Sequence, residues 1–145
     1  MADLKFLAHG KSESATRIDV EARGFTIVVD EPQDFGGTDK GPTPVEYKLA
    51  ALIGCLNVAG HIVAREMGLD LGGIEIHASG ALNADRLLGR DTSDRAGFKE
   101  IEVSLKVDSS ASVEELEAWL SQVKDRCPVS DNLGETTPIR LSVGK

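Results

Sequence analysis

Residues 41–68, GPTPVEYKLAALIGCLNVAGHIVAREMG, contain the pattern that decides the fold. Thr43 suits an N-cap, Pro44 the first helical position, and Glu46 places an acid in the first turn. Large apolar residues then recur at steps of three and four positions, and Gly68 supplies a C-cap. The stretch therefore predicts one long central helix of about six turns, buried in the core of a domain.

The sequence before this helix predicts a β-hairpin followed by a long loop. Apolar and polar residues alternate between Thr16 and Val29, and Arg23-Gly24 offers a turn between the two halves. Residues 30–44 contain three glycines and three prolines without any apolar periodicity, which predicts a loop. We expect the terminus around His9 to be frayed.

The sequence after the central helix predicts two paired strands, a helix and a last strand. Alternation over Ile74–Leu82 and again over Phe98–Val107 predicts an antiparallel pair. Ser112 opens a capping box for a second helix, which Pro128 ends. Thr137–Val143 is predicted to form a short final strand. The 145 residues are thus interpreted as a single α+β domain, residues 1–145, because no linker or repeat divides them.

Composition excludes several classes of function. A hydrophobic content of 41% predicts a folded chain, and a net charge of −8 has the wrong sign for nucleic acid or an anionic membrane surface. The weakly charged run over residues 49–64 is shorter than the roughly 20 residues that cross a bilayer. The first ten residues lack the apolar segment of a secretory signal, so we expect a cytoplasmic protein with reduced thiols.

The two cysteines, Cys55 and Cys127, are 72 positions apart and form no CxxC motif, which excludes a disulfide scaffold and a zinc module. Cys55 alone is typical of a small core residue. Cys127, at the C-terminal end of a helix, is expected to have a raised pKa and to resemble a resolving thiol more than an attacking one. Whether the two act as a redox pair is left open by their spacing. No histidine cluster predicts a metal, and no glycine motif predicts a phosphate cofactor.

Glu46 is a candidate for holding a cation near Cys55. It has two interpretations, stabilisation of the helix N-terminus or a bidentate pair with an arginine that lowers the pKa of the cysteine. Arg17 and Arg23 in the hairpin are the candidate arginines, and each is equally typical of a solvated strand or turn residue.

Five short motifs stand out along the chain: Asp30-Glu31-Pro32, Phe35-Gly36-Gly37, Gly41-Pro42-Thr43-Pro44-Val45-Glu46, Leu49-Ala50-Ala51-Leu52-Ile53-Gly54-Cys55 and Arg126-Cys127-Pro128-Val129-Ser130-Asp131-Asn132-Leu133. Together they resemble the OsmC/Ohr family, the osmotically inducible protein C and organic hydroperoxide resistance proteins. The likeness runs from about Thr16 to Val143 and is greatest to the broader OsmC-like branch. It implies curved antiparallel sheets around two long central helices in an intertwined homodimer, with active sites at the subunit interface.

The resemblance also implies cysteine-based peroxidase chemistry. Cys55 would attack an organic peroxide or hydrogen peroxide, and Cys127 would resolve the resulting sulfenic acid as a disulfide that a dithiol reductant reopens. Glu46 corresponds to the glutamate that steers an arginine. The Gly-Gly-Arg segment of the hydroperoxide-resistance branch is missing here, and Arg17 is the nearest substitute. The alternative is a non-enzymatic module that binds a small ligand or a partner with the same dimer fold.

Overall fold

The structure is a computed structural model that describes residues 3–144, and the chain divides into two compact units, Met1–Lys48 and Leu49–Lys145. Its mixture of three helices and two antiparallel sheets confirms the predicted α+β class. The elements in chain order are β1 His9–Ser12, β2 Ile18–Ala22, β3 Phe25–Val29, a 3-10 turn Gln33–Phe35, α1 Pro44–Met67, β4 Gly73–Ala81, β5 Glu100–Asp108, α2 Val113–Arg126 and α3 Pro128–Gly134.

The first unit contains a three-stranded antiparallel sheet in the order β1-β2-β3. The hairpin β2–β3 is confirmed, and its turn places Arg23 at φ 51° and Gly24 at φ 85°, the two left-handed residues that a tight hairpin requires. The prediction of a frayed terminus around His9 is wrong, because His9 begins β1 and pairs with Glu21 of β2. The sequence of β1, HGKS, has no apolar alternation, so its pairing depends on the free edge of β2.

The start of α1 is also part of the first unit and agrees with its predicted cap. Thr43 Oγ1 accepts a hydrogen bond from Glu46 N at 3.4 Å, while the Glu46 carboxylate accepts from Thr43 N at 2.7 Å. The Tyr47 hydroxyl donates to the Val28 carbonyl at 2.8 Å, which ties the helix to the end of β3. The helix ends where predicted, at Gly68 with φ 69°.

The second unit has one hydrophobic core, formed where α2 and the sheet β4–β5 cover the apolar face of α1. The indole Nε1 of Trp119 donates to the Gly60 carbonyl at 2.9 Å, so the indole ring of α2 reaches the backbone of α1. Ser112 caps α2 with the predicted capping box. The buried residues of this core are Leu52, Leu56, Ala59, Val63, Ala64, Trp119, Val123 and Cys127.

In length and composition α1 passes the test for a membrane-crossing helix, as does the core helix of many soluble proteins. Its apolar stripe is buried by other elements of the same unit, beginning at Leu52 and continuing to Val63. This stripe is the core face that the sequence predicts for a central helix, whereas Val58 and Ile62 on the remaining surface of α1 are exposed.

Two predictions at the C-terminal end are corrected. Pro128 ends α2 as predicted, but it also begins a further helix, α3, because proline suits the first helical position. Thr137–Val143 is not a strand in the described chain, and Ile139, Leu141 and Val143 are more than four-fifths exposed. A strand needs a neighbouring edge to pair with, and no strand in residues 3–144 pairs with this segment.

We expect Gly60→Ala to destabilise the protein by about 1–3 kcal/mol. A Cβ at Gly60 would lie 3.0 Å from Trp119 Cζ2 and 3.2 Å from Ile74 Cδ1, so the core must shift to admit it. Urea unfolding followed by tryptophan fluorescence measures the change. Gly54→Ala is the matched control, because a Cβ at Gly54 meets no atom within 4 Å. Equal loss of stability in both variants would contradict the account of this packing.

Candidate active site

The two cysteines, distant in sequence, are neighbours in the second unit. Cys55 lies half-buried in the middle of α1, and Cys127 is fully buried at the junction of α2 and α3. Their thiols lie near enough to shift each other's pKa, and both are free. Residues 3–144 contain no cluster of histidine, cysteine and acidic side chains able to hold a metal ion.

Cys127 occupies two helix ends at once. It is the C-cap of α2 and the N-cap of α3, with an extended backbone at φ −85° and ψ 108°. Its Sγ accepts a hydrogen bond from Ser130 N at 3.4 Å, the bond that an N-cap side chain makes. A capping sulfur therefore faces the amides of the first turn of α3.

This double position corrects the prediction for the pKa of Cys127. Burial raises the pKa of this thiol, but hydrogen bonds from Cys55 and Ser130 outweigh burial and lower it below its ordinary value. The sequence interpretation considered the dipole of α2 and missed α3. The available signals were Pro128, which suits the first position of a helix, and Asp131, an acid in its first turn.

The pKa of Cys55 is shifted in the opposite direction. Burial raises it, and the hydrogen bond to Cys127 together with the charge on that sulfur raises it further, whereas the Val129 amide lowers it. The two thiols thus share one proton: the first is released easily and the second with difficulty. Such a pair titrates in two macroscopic steps that belong to both residues.

The arrangement can perform thiol redox chemistry. One sulfur of the pair carries a negative charge more readily than an isolated thiol, and the other lies in contact with it, half exposed on α1. A sulfur that is oxidised to a sulfenic acid at this position has a second sulfur beside it to condense with. The site therefore has the parts needed to form and break a disulfide.

The other predicted site residues belong to the first unit. The Arg17 guanidinium makes a bidentate pair with Asp19, with both N–O distances at 2.9 Å, and this pairing raises the pKa of Arg17 and lowers that of Asp19. The Glu46 carboxylate has Thr43 as its hydrogen-bond partner, which lowers the pKa of Glu46. Arg23 stacks over the Phe25 ring at 5.7 Å. Roles for Arg17 and Glu46 beside Cys55 stay predictions.

Comparison with known proteins identifies the family. A family model described as OsmC-like protein matches residues 37–142 of the chain, a range that includes Glu46 and both cysteines. No curated protein sequence matches the chain.

Solved structures with the same fold include an OsmC-like protein from Mycoplasma pneumoniae, which is 19% identical with a TM-score of 0.80 over 92% of this chain and 89% of that chain. An organic hydroperoxide resistance protein OsmC from Legionella pneumophila is 20% identical, with a TM-score of 0.66 over 92% and 91%. An organic hydroperoxide resistance protein from Elizabethkingia anophelis is 16% identical, with a TM-score of 0.70 over 90% and 89%. These solved structures share the fold of this chain, and the match to the family model shows that the chain belongs to the OsmC-like protein family.

Proposed function

We propose that the protein is a thiol-dependent peroxidase that reduces organic peroxides or hydrogen peroxide. The observation that carries the proposal is the contact between the thiols of Cys55 and Cys127, on two different helices. The names of the relatives from Legionella and Elizabethkingia, organic hydroperoxide resistance proteins, support the same substrate class.

The reaction with peroxide has two steps, oxidation of Cys55 to a sulfenic acid and condensation of that acid with Cys127 to a disulfide. The Cys55 thiolate attacks the terminal oxygen of ROOH, the O–O bond breaks, and a proton converts the leaving RO⁻ to the alcohol, leaving Cys55 as a sulfenic acid. The Cys127 thiolate then attacks the Cys55 sulfur, and hydroxide leaves and is protonated to water. A dithiol reductant returns the disulfide to two thiols and is itself oxidised to a disulfide.

The shared proton gives each sulfur what its step requires. Because Cys127 ionises before Cys55, we propose that the Cys127 thiolate acts as the base that takes the proton of Cys55 as Cys55 attacks the peroxide. After the first step, Cys127 needs to be a thiolate, and the Ser130 amide at 3.4 Å stabilises that form. A buried thiol with a lowered pKa is thus suited to resolve the sulfenic acid.

Arg17 and Glu46 are proposed to bind the peroxide and to stabilise the Cys55 thiolate. Arg17 is half-buried, and its positive charge is balanced by Asp19. Basic residues are the minority in this chain of net charge −8, and the Asp19 carboxylate holds the Arg17 guanidinium in one orientation. Glu46 is proposed to orient this guanidinium by a bidentate pair during the reaction.

We propose further that the working form is a cytoplasmic homodimer. The chain exposes 11217 Å² of accessible surface. Two compact bodies the size of its two units, even fully separated, would expose about 8,600 Å². The excess of about 2,600 Å² per chain, or about 5,200 Å² for two copies, falls in the range of total area that permanent homodimers bury. The exposed alternation of Ile139, Leu141 and Val143 supports pairing of this segment with a second copy.

We expect cumene hydroperoxide to oxidise the reduced protein with loss of two thiols for each peroxide consumed. Cys55→Ser abolishes this reaction, because no sulfur remains to attack, while Cys127→Ser accumulates a sulfenic acid that dimedone traps. Mass spectrometry after stopped-flow mixing distinguishes these products. Equal peroxide consumption by wild type and Cys55→Ser would overturn the proposal. A saturable rise in melting temperature with a small ligand, without thiol loss, would favour the binding-module alternative.

The shared proton predicts two titration steps in the reduced protein, one below and one above the ordinary thiol pKa of about 8.5. Cys55→Ala raises the pKa of Cys127, since the donated hydrogen bond is lost. Cys127→Ala lowers the pKa of Cys55, since the neighbouring sulfur no longer raises it. Each variant therefore shows one step that lies between those of the wild type, measured by ultraviolet thiolate absorbance. If the two wild-type steps had the same pKa values as the single steps of the two variants, the thiols would not influence each other, and the prediction would be wrong.

Sedimentation equilibrium tests the dimer, and we expect a mass about twice the 15.4 kDa of one chain. Leu141→Asp weakens the association, because a charge replaces an apolar side chain in the segment that pairs with the second copy. Ser142→Asp is the control, since its side chain points to the opposite face of an extended segment. A monomeric wild type, or equal loss in both variants, would contradict this pairing.

A further inference from the structure

Asp30, at the end of β3, is the buried charged residue of the described chain. Its exposed fraction is 0%, and it ion-pairs with no lysine or arginine in residues 3–144. A carboxylate without a cation is costly to remove from water unless hydrogen bonds replace its hydration. The mechanism proposed above does not use this group, so its burial needs another explanation.

The hydrogen bonds to Asp30 come from the loop that follows it. Oδ1 accepts from Glu31 N at 2.8 Å, and Oδ2 accepts from Thr38 N at 3.2 Å, Thr38 Oγ1 at 2.5 Å and Lys40 N at 3.2 Å. The Thr16 side chain also helps to lower the pKa of Asp30. The Thr38 hydroxyl has the largest effect in holding the pKa of Asp30 far below its usual range, so the group is an anion at neutral pH.

These bonds fold residues 31–42 back against β3. Asp30 N donates to the Pro42 carbonyl at 3.3 Å, which brings the end of the loop to its beginning. The backbone approaches so closely that a Cβ at Gly37 would lie 1.7 Å from the Glu31 carbonyl oxygen, and one at Gly41 would lie 2.1 Å from that of Val28. The next residues are the Thr43 cap and Glu46, so the loop determines where α1 begins.

The pairing of β2 with β3 places Arg17 beside Asp30. Ile18 pairs with Val29, and Arg17 and Asp30 are the next residues along the two chains, so the charge of Asp30 acts on the Arg17 guanidinium, while Thr16, the residue before Arg17, helps to lower the pKa of Asp30. One buried anion thus connects the segment that holds Arg17 with the loop that delivers Glu46. Both connections lie inside the first unit.

We propose that Asp30 is a positioning residue that fixes Arg17 and Glu46 relative to each other for the reaction with peroxide. The assignment rests on the proposed peroxidase function. Asp30 touches neither the peroxide nor the reacting sulfurs in this scheme, and acts through the loop and through Thr16. A shift of these side chains by about 1 Å is enough to slow a reaction up to 100-fold.

The test compares Asp30→Asn with Asp39→Asn. Asp39 lies in the same loop and has φ 56°, a conformation that asparagine tolerates, so this control removes the same charge without touching the anion site. We expect Asp30→Asn to slow disulfide formation with cumene hydroperoxide by about 10- to 100-fold. Alkylation of the thiols by iodoacetamide, measured at a pH where both thiols are ionised, stays unchanged, because the thiolate fraction is then complete and iodoacetamide is not bound through Arg17.

Hydrogen exchange supplies a readout besides activity. The amides of Thr38 and Lys40 are expected to exchange faster in Asp30→Asn than in Asp39→Asn. If Asp30→Asn does not fold, Thr38→Val replaces it in the test. This variant removes one donor to Asp30 while keeping the volume of the side chain, and we expect it to change exchange and rate in the same direction by a smaller amount.

Peroxide and iodoacetamide rates that fall together would show a merely structural role and overturn the assignment, as would an unchanged peroxide rate. A wild-type protein that does not react with peroxide would instead refute the proposed function, and with it any positioning role in that reaction.

Discussion

The contact between Trp119 and the backbone at Gly60 is the constraint on which the second unit depends. It lets a side chain of α2 reach the backbone of α1, because the glycine leaves room for the indole ring and its carbonyl accepts the indole proton. Arg126 and Glu66 join the same two helices by an ion pair. With α2 held in this way, the residue after its last turn, Cys127, reaches the middle of α1 and meets Cys55.

The chemistry of the pair follows from where α2 stops. A cysteine at the end of one helix would face carbonyl groups, which disfavour a thiolate. Pro128 immediately begins a second helix, so Cys127 caps the amides of α3 instead. The same buried sulfur therefore becomes acidic while Cys55, which shares its proton, becomes less so. Two similar side chains thus differ in acidity, and the more buried one is the more acidic.

Much of the local structure could be predicted from the sequence, because its signals are short-range. The Thr43 cap of α1, the Ser112 capping box and the Arg23-Gly24 turn all lie where the residues indicate. β1 and the segment Thr137–Val143 were predicted wrongly, since a strand is decided by the edge that it meets and not by its own residues.

The candidate site was predictable in its residues but not in its electrostatics. The contact of Cys55 with Cys127 depends on tertiary packing, and the family resemblance, not the spacing, indicated it. The direction of the pKa of Cys127 was wrong because α3 was overlooked, although Pro128 signalled its start. Asp30 escaped notice because four donors, three amides and one hydroxyl, meet on its side chain only after the loop has folded.

The most direct test of this account is a crystal structure of the fully reduced protein at neutral pH. The account predicts that the Sγ atoms of Cys55 and Cys127 lie within a contact distance of about 4 Å, with the Ser130 amide directed at the Cys127 sulfur. Sulfurs separated by more than a contact distance, or a Cys127 side chain that does not cap α3, would contradict it.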